Sequence, residues 1–481
     1  MDSSAERSKW MKIAISTLVF VVLAVCPEFG PMTRAEMYAL AGFVAAIVSW
    51  MLGVVAWYSV AIMIVYSILM GSSFGDVEFP AMMGSGTVWL VFSMFWFIAA
   101  IRDSGLFKYL ASKFMSIGIA KKGPYWLMSM FLIACYLTSA ITQAQMAVTV
   151  FLFALLKQVS EAMGLKKYNM WTVATGIGIG VVGCVGALLF PFNWVTQLYF
   201  SLFASTLGVQ NFPNDLAYTL MMLVTGILVM AFIVLFTKFI LRPKMDLEKL
   251  KELDLTSDIR INKTMVGTII AILALVLALV LPTTLPAEWA FTQAVGKLGT
   301  TGGFLLAAII QCFVRDPNGE PLFNFGKKLK DSAEISLLLS LGPVLYLGNI
   351  VNSTTGGLTA IFQELFAPLG NLNPILMVSI LGLICVLMTN VTNNFLPCFI
   401  CGPIGLAVLG YDTKWAAILC LVLLLNAFTA VAFPSASSVG ILLHGEKEMF
   451  QTKQVVIWGY VFGVLAWLAG TIAMLVCMGI F

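Results

Sequence analysis

Two short polar stretches interrupt otherwise apolar sequence, and their side chains are of the kind that hold ions. The first is Thr138-Ser139-Ala140-Ile141-Thr142-Gln143-Ala144, and the second is Thr389-Asn390-Val391-Thr392-Asn393-Asn394-Phe395. Thr hydroxyls and Asn amide oxygens are hard ligands for a sodium ion, while hydroxyl protons and amide N–H groups suit an anion. Neither stretch contains a basic, acidic or histidine side chain, so neither offers general acid–base chemistry. Upstream of them, Ser104-Gly105-Leu106 and Gly356-Gly357-Leu358 stand at nearly the same distance in the two halves. Matched interruptions in two halves of a membrane chain point to a transporter's binding site.

The elements that carry these residues must be membrane helices. Hydrophobic residues make up 60% of the chain and charged residues 10%, with a mean hydropathy of +0.98. A soluble domain carries about 25% charged residues. Apolar runs long enough to cross a bilayer recur, for example near 219–236, 265–281 and 455–476. Nothing alternates like a barrel strand, so the expected class is an all-α integral membrane protein. Residues 1–9 form a polar head, and the apolar run after it reads as a first span rather than a cleaved signal.

Charge then sets the path of the chain. If the basic clusters all face the cytoplasm, only Arg34, Lys297 and Lys414 of the 27 basic residues remain outside. Spans near 13–28, 36–52, 56–72, 87–103, 171–200 and 217–240 meet this requirement. The segment 124–157 must then enter and leave on the cytoplasmic side, as a re-entrant hairpin with Thr142 and Gln143 at its tip. Segment 374–409 repeats the pattern from outside, with Asn393 and Asn394 at its tip. The chain divides into an N-terminal span (1–35), a first repeat (36–241), a charged cytoplasmic linker (242–263) and a second, inverted repeat (264–481). The last span, near 455–480, leaves the C-terminus outside and the N-terminus in the cytoplasm.

Each hairpin is followed by a span with a break in it. Phe190-Pro191-Phe192-Asn193 follows a glycine-rich run, and Phe433-Pro434-Ser435-Ala436-Ser437-Ser438 follows Asn426-Ala427-Phe428-Thr429. Proline removes a helix donor, and the carbonyls it frees can face a ligand. The glycines themselves are of the kind that let helices approach closely. The candidate substrate-binding residues are therefore Thr142, Gln143, Asn193, Asn393, Asn394, Ser437 and Ser438. Candidate sodium ligands are Thr138, Thr142, Thr389, Asn393 and Ala436. No Lys or Arg stands at the centre of a span, so helix ends and amides must receive an anion.

On these residues the chain resembles the divalent anion/sodium symporter family, within a wider ion-transporter superfamily. Thr87-Val88-Trp89-Leu90-Val91-Phe92-Ser93 and Ser104-Gly105-Leu106 look like the family's pattern before its first hairpin. Thr142-Gln143-Ala144 and Asn393-Asn394-Phe395 fall where members carry Ser-Asn-Thr, and Thr138 and Thr389 match the family's spacing before each tip. Phe190-Pro191-Phe192-Asn193 resembles its Thr-Pro-Pro-Asn. The resemblance implies about eleven transmembrane helices plus two re-entrant hairpins, a homodimer, and elevator-type movement. It also implies transport of a di- or tricarboxylate, or an oxyanion such as sulfate, by sodium symport or anion exchange. Gln143 is one methylene longer than the usual Asn, and Ala144 and Phe395 replace hydroxyls.

Other motifs carry less. Gly178-x-Gly180-x-x-Gly183 matches a dinucleotide fingerprint but lies in a span without a βαβ unit, so no cofactor is expected. Cys398 and Cys401 have one loop histidine, His444, and no second Cys pair, which argues against zinc. An enzyme would need an acid–base or metal constellation, and none is present. A cation/proton antiporter of the same superfamily would carry intramembrane carboxylates; none is expected near the hairpins, with Glu364 at the interface. The expected partners are a small anion and lipid, not nucleic acid.

Overall fold

The computed structural model describes residues 3–480 apart from 53, 55–56, 116–121, 144, 207, 210, 244–259, 287, 323, 325–332, 352–356, 367, 369–371, 393, 395 and 435. Its described residues are helical, with one isolated antiparallel bridge between Arg315 and Pro321. The first group of helices is α1 (Ser3–Val25), α2 (Arg34–Met51), α3 (Trp57–Met70), α4 (Phe79–Met83), α5 (Gly86–Ser104) and α6 (Leu106–Met115). The polar head is thus helical from Ser3, rather than a tail before the first span. A paired unit follows, α7 (Pro124–Thr142) and α8 (Gln145–Ala162), then a broken helix, α9 (Met170–Ala187) and α10 (Trp194–Ser201), then α11 (Asp215–Phe236).

The second half begins with α12 (Lys263–Thr284), α13 (Ala290–Gly296), α14 (Gly299–Phe313), α15 (Ala333–Val351) and α16 (Gly357–Phe366). Another pair follows, α17 (Pro374–Thr389) and α18 (Leu396–Leu409), then a broken helix, α19 (Lys414–Phe428) and α20 (Ser438–Gly445), and finally α21 (Thr452–Cys477). Most of the expected linker, 242–263, lies outside the described residues; Lys263 already opens α12.

The local signals that start and stop these helices lie in the sequence. Proline occupies the first position of both α7 and α17, where its missing N–H costs nothing. Asn373, Asn193, Asn214 and Asn262 each cap the helix that follows through the side-chain oxygen. Gly105 stands at φ 75°, the left-handed turn that separates α5 from α6.

In each half, the two helices of the pair pack on one another and both pack on the following helix: α7 and α8 on α9, and α17 and α18 on α19. Residues 171–187 of α9 and 416–428 of α19 are buried throughout, so these two helices form the centre of the main core. Around them lie α11 and α21, packed on each other. A second core joins α1, α2, α3 and α15, and reaches the first through Phe399 of α18, whose ring meets Phe43 edge-on at 4.9 Å. A third joins α5, α12 and α14 through Leu90, Phe97, Leu275 and Phe304. At one polar corner, Lys157 pairs with Glu448, Tyr168 donates to the Lys447 carbonyl at 3.1 Å, and Gln454 donates to the Tyr168 carbonyl at 3.3 Å.

Large apolar side chains on α1, α11 and α12, among them Leu18, Ile227 and Leu273, are exposed. That surface suits lipid rather than water. Among the described residues, six helices are long and apolar enough to cross a bilayer, and eight if each of two bent pairs counts as one span. One bent pair was not foreseen: the expected span at 56–72 ends at Met70, and the chain turns by 118° into 74–83. Reaching the expected eleven spans would require shorter apolar helices such as Lys414–Phe428 to contribute.

Candidate functional site

The first polar stretch is the turn between α7 and α8. Gln143 adopts the left-handed conformation, φ 53° and ψ 14°, and its N–H returns to the Ser139 carbonyl at 2.8 Å. This closes α7 and turns the chain toward α8; Ala144 lies outside the described residues. Thr142 donates its hydroxyl to the Thr138 carbonyl at 2.7 Å, which is local helix satisfaction. Thr138 Oγ1 and Gln143 Oε1 are buried without a hydrogen-bond partner among the described residues. Thr149 Oγ1 on α8 and Thr175 Oγ1 on α9 are in the same condition.

Gly183 leaves room for Thr149 beside Cys135 and Ser139. A methyl group added there would lie 3.1 Å from Cys135 Sγ, 3.4 Å from Thr149 Oγ1 and 3.8 Å from Ser139 Oγ. Side chains from α7 and α8 thus meet over a bare point on α9. The break after α9 continues the cluster. Asn193 caps α10 by accepting from the Val195 N–H at 2.8 Å, while its Nδ2 is buried and unpartnered. Tyr218 donates to the Leu188 carbonyl at 2.8 Å and Gln197 to the Pro191 carbonyl at 2.8 Å, so these two freed carbonyls are already satisfied.

The second polar stretch is arranged differently. Thr389 donates to the Ala427 carbonyl at 2.9 Å. With its amide nitrogen turned toward the carbonyls, Asn394 donates to Ala427 at 3.1 Å and to Ala436 at 2.9 Å. Its own carbonyl accepts from the Tyr199 hydroxyl of α10 at 2.5 Å, joining this tip to the helix after the first break. Ser437 donates to the Ala430 carbonyl at 2.5 Å and caps α20 by accepting from Gly440 N–H at 3.1 Å. Ser438 is exposed. Asn393, Ser435 and Phe395 lie outside the described residues.

Sequence reasoning passed over the residue that organises this second break. Asn390 is fully buried, and its Oδ1 accepts from both Val431 N–H at 3.0 Å and Ala432 N–H at 2.8 Å. Two backbone donors orphaned by the break are met by one amide oxygen. Its place beside Thr389 in a polar run was the available signal. His444 also differs from expectation. It is part-buried on α20, with Nε2 2.9 Å from the Ala432 carbonyl, rather than solvated in a loop.

A cavity of about 380 Å³ adjoins the first tip. Gln143, Ala140, Phe190 and Phe192 line one side, and Phe97, Ile272, Leu275 and Val276 another. The Phe190 and Phe192 rings lie 5.1 Å apart and 7° from parallel. Asp215, the first residue of α11, also lines it, and this corrects the expectation that no carboxylate stands near a hairpin. Asp215 is half-buried; a buried acidic residue, Glu78, sits at the bend after α3, where it accepts from Ser72 at 2.7 Å. No cluster of three or more His, Cys, Asp or Glu side chains suited to a metal occurs among the described residues.

No protein-family model and no curated protein matches the sequence. The fold, however, is similar to that of a solved membrane protein, the YdaH transporter of Alcanivorax borkumensis, whose topology was described as unusual. The two share 12% identity at a TM-score of 0.51, over 85% of this chain and 90% of that one. At this identity the likeness concerns architecture alone: the described residues form a helical, multi-pass membrane protein whose fold is similar to that of the solved transporter.

Proposed function

We propose that the protein is a secondary active transporter whose substrate site lies at the tips of the α7–α8 and α17–α18 pairs. In this reading the two pairs are re-entrant hairpins of an inverted repeat, and each broken helix completes its half of the site. The substrate is a small anion, a di- or tricarboxylate or an inorganic oxyanion such as sulfate. It is driven by sodium symport or by exchange with a second anion, through elevator movement of the hairpin body in a homodimer.

The observation that carries this reading is a set of buried polar atoms on the first helix pair and the break that follows it, without a partner among the described residues: Thr138 Oγ1, Gln143 Oε1, Thr149 Oγ1 and Asn193 Nδ2. Leaving a buried polar atom unmet costs about 1–3 kcal/mol, so four on one helix pair and its following break favour a site that a ligand completes. Thr138, Gln143 and Thr149 supply oxygens for a sodium ion, and the Asn193 amide supplies a donor for an anion. At the second tip Thr389, Asn390 and Asn394 hold the break, and Asn426 Oδ1 on α19 is buried without a partner among the described residues.

The test is uptake of labelled succinate, citrate and sulfate into proteoliposomes, with and without a sodium gradient and with anion loaded inside. Wild type is expected to transport at least one of them, and Gln143→Ala and Asn193→Ala to lower uptake by about tenfold or more. Exposed Ser438→Ala should have little effect. Absence of transport under every gradient would refute the anion reading. Asp215 favours a second reading, cation/proton antiport, for which uptake would follow a pH gradient instead.

A further inference from the structure

The cavity beside the first tip carries one charged group and few polar ones. Gln143 contributes a buried, unpartnered Oε1. Asp215 contributes a carboxylate whose side chain has no ion pair or hydrogen bond among the described residues. Thr219 has already given its hydroxyl proton to the Asp215 carbonyl at 2.7 Å, so its oxygen is left to accept. No Lys, Arg or His lines the space, and the remaining walls are aliphatic or aromatic. A carboxylate with no cationic side chain among the described lining residues must receive its counter-charge from the ligand, and the apolar walls require the rest of that ligand to be apolar.

From this we infer that the cavity is a binding site for an amphipathic cation: a primary or secondary ammonium on an aromatic or aliphatic body. The ammonium meets Asp215 and the Gln143 oxygen, and the body lies against Phe190, Phe192 and the α12 side chains Ile272, Leu275 and Val276. An acidic residue in the first turn of a helix also favours the helix dipole, which accounts for Asp215 as a start signal. It does not account for the pairing of that carboxylate with a buried, unmet amide oxygen on one apolar cavity. This chemistry is opposite in sign to that of the anion proposed at the tip.

The walls also belong to different bodies. Ala140 and Phe190 come from the core that holds the helix pairs, and Phe97 and Leu275 from the core of α5, α12 and α14. An occupant touches both and holds them in one relation. Arrest of transport by the ligand rests on the transporter reading; binding of the ligand does not.

The experiment uses three probes with one body: 4-phenylbutylamine, 4-phenylbutanol and 4-phenylbutanoate. Each is titrated onto the full-length protein in nanodiscs, with binding to empty nanodiscs subtracted. The amine is expected to bind about tenfold or more tighter than the alcohol, and the carboxylate weakest. Asp215→Asn should erase the preference for the amine while leaving alcohol binding within about twofold, a difference of well under 1 kcal/mol. Val276→Trp, which fills the cavity from its apolar wall, should remove binding of all three. Equal or tighter binding of the carboxylate, or an amine preference that survives Asp215→Asn, overturns the assignment. So does binding that survives Val276→Trp. None of these readouts depends on transport, so failure here and failure of the transporter reading are seen separately.

Discussion

Gln143 and Asn390 each follow the last residue of the first helix of their pair and do opposite work. Gln143 holds a left-handed backbone conformation that would suit glycine, and its buried side-chain oxygen meets no partner among the described residues. Replacing it with glycine should raise stability by about 1 kcal/mol, because the left-handed strain is relieved. The same change should lower uptake, because the side chain is gone. Thermal unfolding in detergent together with uptake checks this, and equal signs in the two assays would sink it. Asn390→Ala should instead destabilise by about 2 kcal/mol or more, since the Val431 and Ala432 N–H groups lose their only acceptor named here. A melting temperature within error of wild type would refute that role. The tips themselves were legible in the sequence because hydroxyls and amides stand out in apolar surroundings. Which of those groups would be spent on backbone was not legible, because it depends on partners some 40 positions away, as with Asn390 and Val431.

The first helix pair draws its tight packing from glycines on α9, whereas in the second half Gly382 and Gly405 on the pair face Val422 and Leu419 of α19. A methyl group at Gly186 would lie 2.5 Å from the Tyr136 carbonyl oxygen and 2.8 Å from its Cα, so α7 and α9 would have to part. At Gly178 the nearest atom is a Leu132 side-chain methyl at 3.1 Å, which can rotate. Gly186→Ala is therefore expected to cost about 1–3 kcal/mol and Gly178→Ala clearly less. Equal melting temperatures for the two variants would contradict it. Pairs, breaks and caps followed from proline, glycine and asparagine placement. The bend after Met70 did not, because the apolar run continues through the corner and hydropathy has no direction. Asp215 was missed for a related reason: a single acid at the start of a long apolar run reads as a helix boundary.

At the scale of the molecule, the elevator proposal requires the main core to slide against the second one. Phe43 on α2 and Phe399 on α18 mark a contact across that boundary. Cysteines at both positions, in a background lacking the nine native ones, should be bridged by a short bis-methanethiosulfonate reagent, whose links to the protein are reducible disulfides. Uptake should then fall to background and return on reduction. Full cross-linking with undiminished uptake would show that this boundary does not move during transport.

The polar corner where Lys157, Tyr168, Lys447, Glu448 and Gln454 meet has a practical corollary. Its groups come from distant parts of the chain, so the corner exists only when both halves are assembled. It is an exposed, discontinuous epitope on the body that carries the helix pairs. An antibody fragment selected against it would recognise the assembled protein and not isolated peptides. The Lys157 hydrogen bond holds the Glu448 carboxyl below its usual range. Recognition should therefore persist at neutral pH and weaken as acid protonates Glu448. Such a fragment would also add rigid mass to a small, lipid-embedded particle, where imaging most needs a landmark.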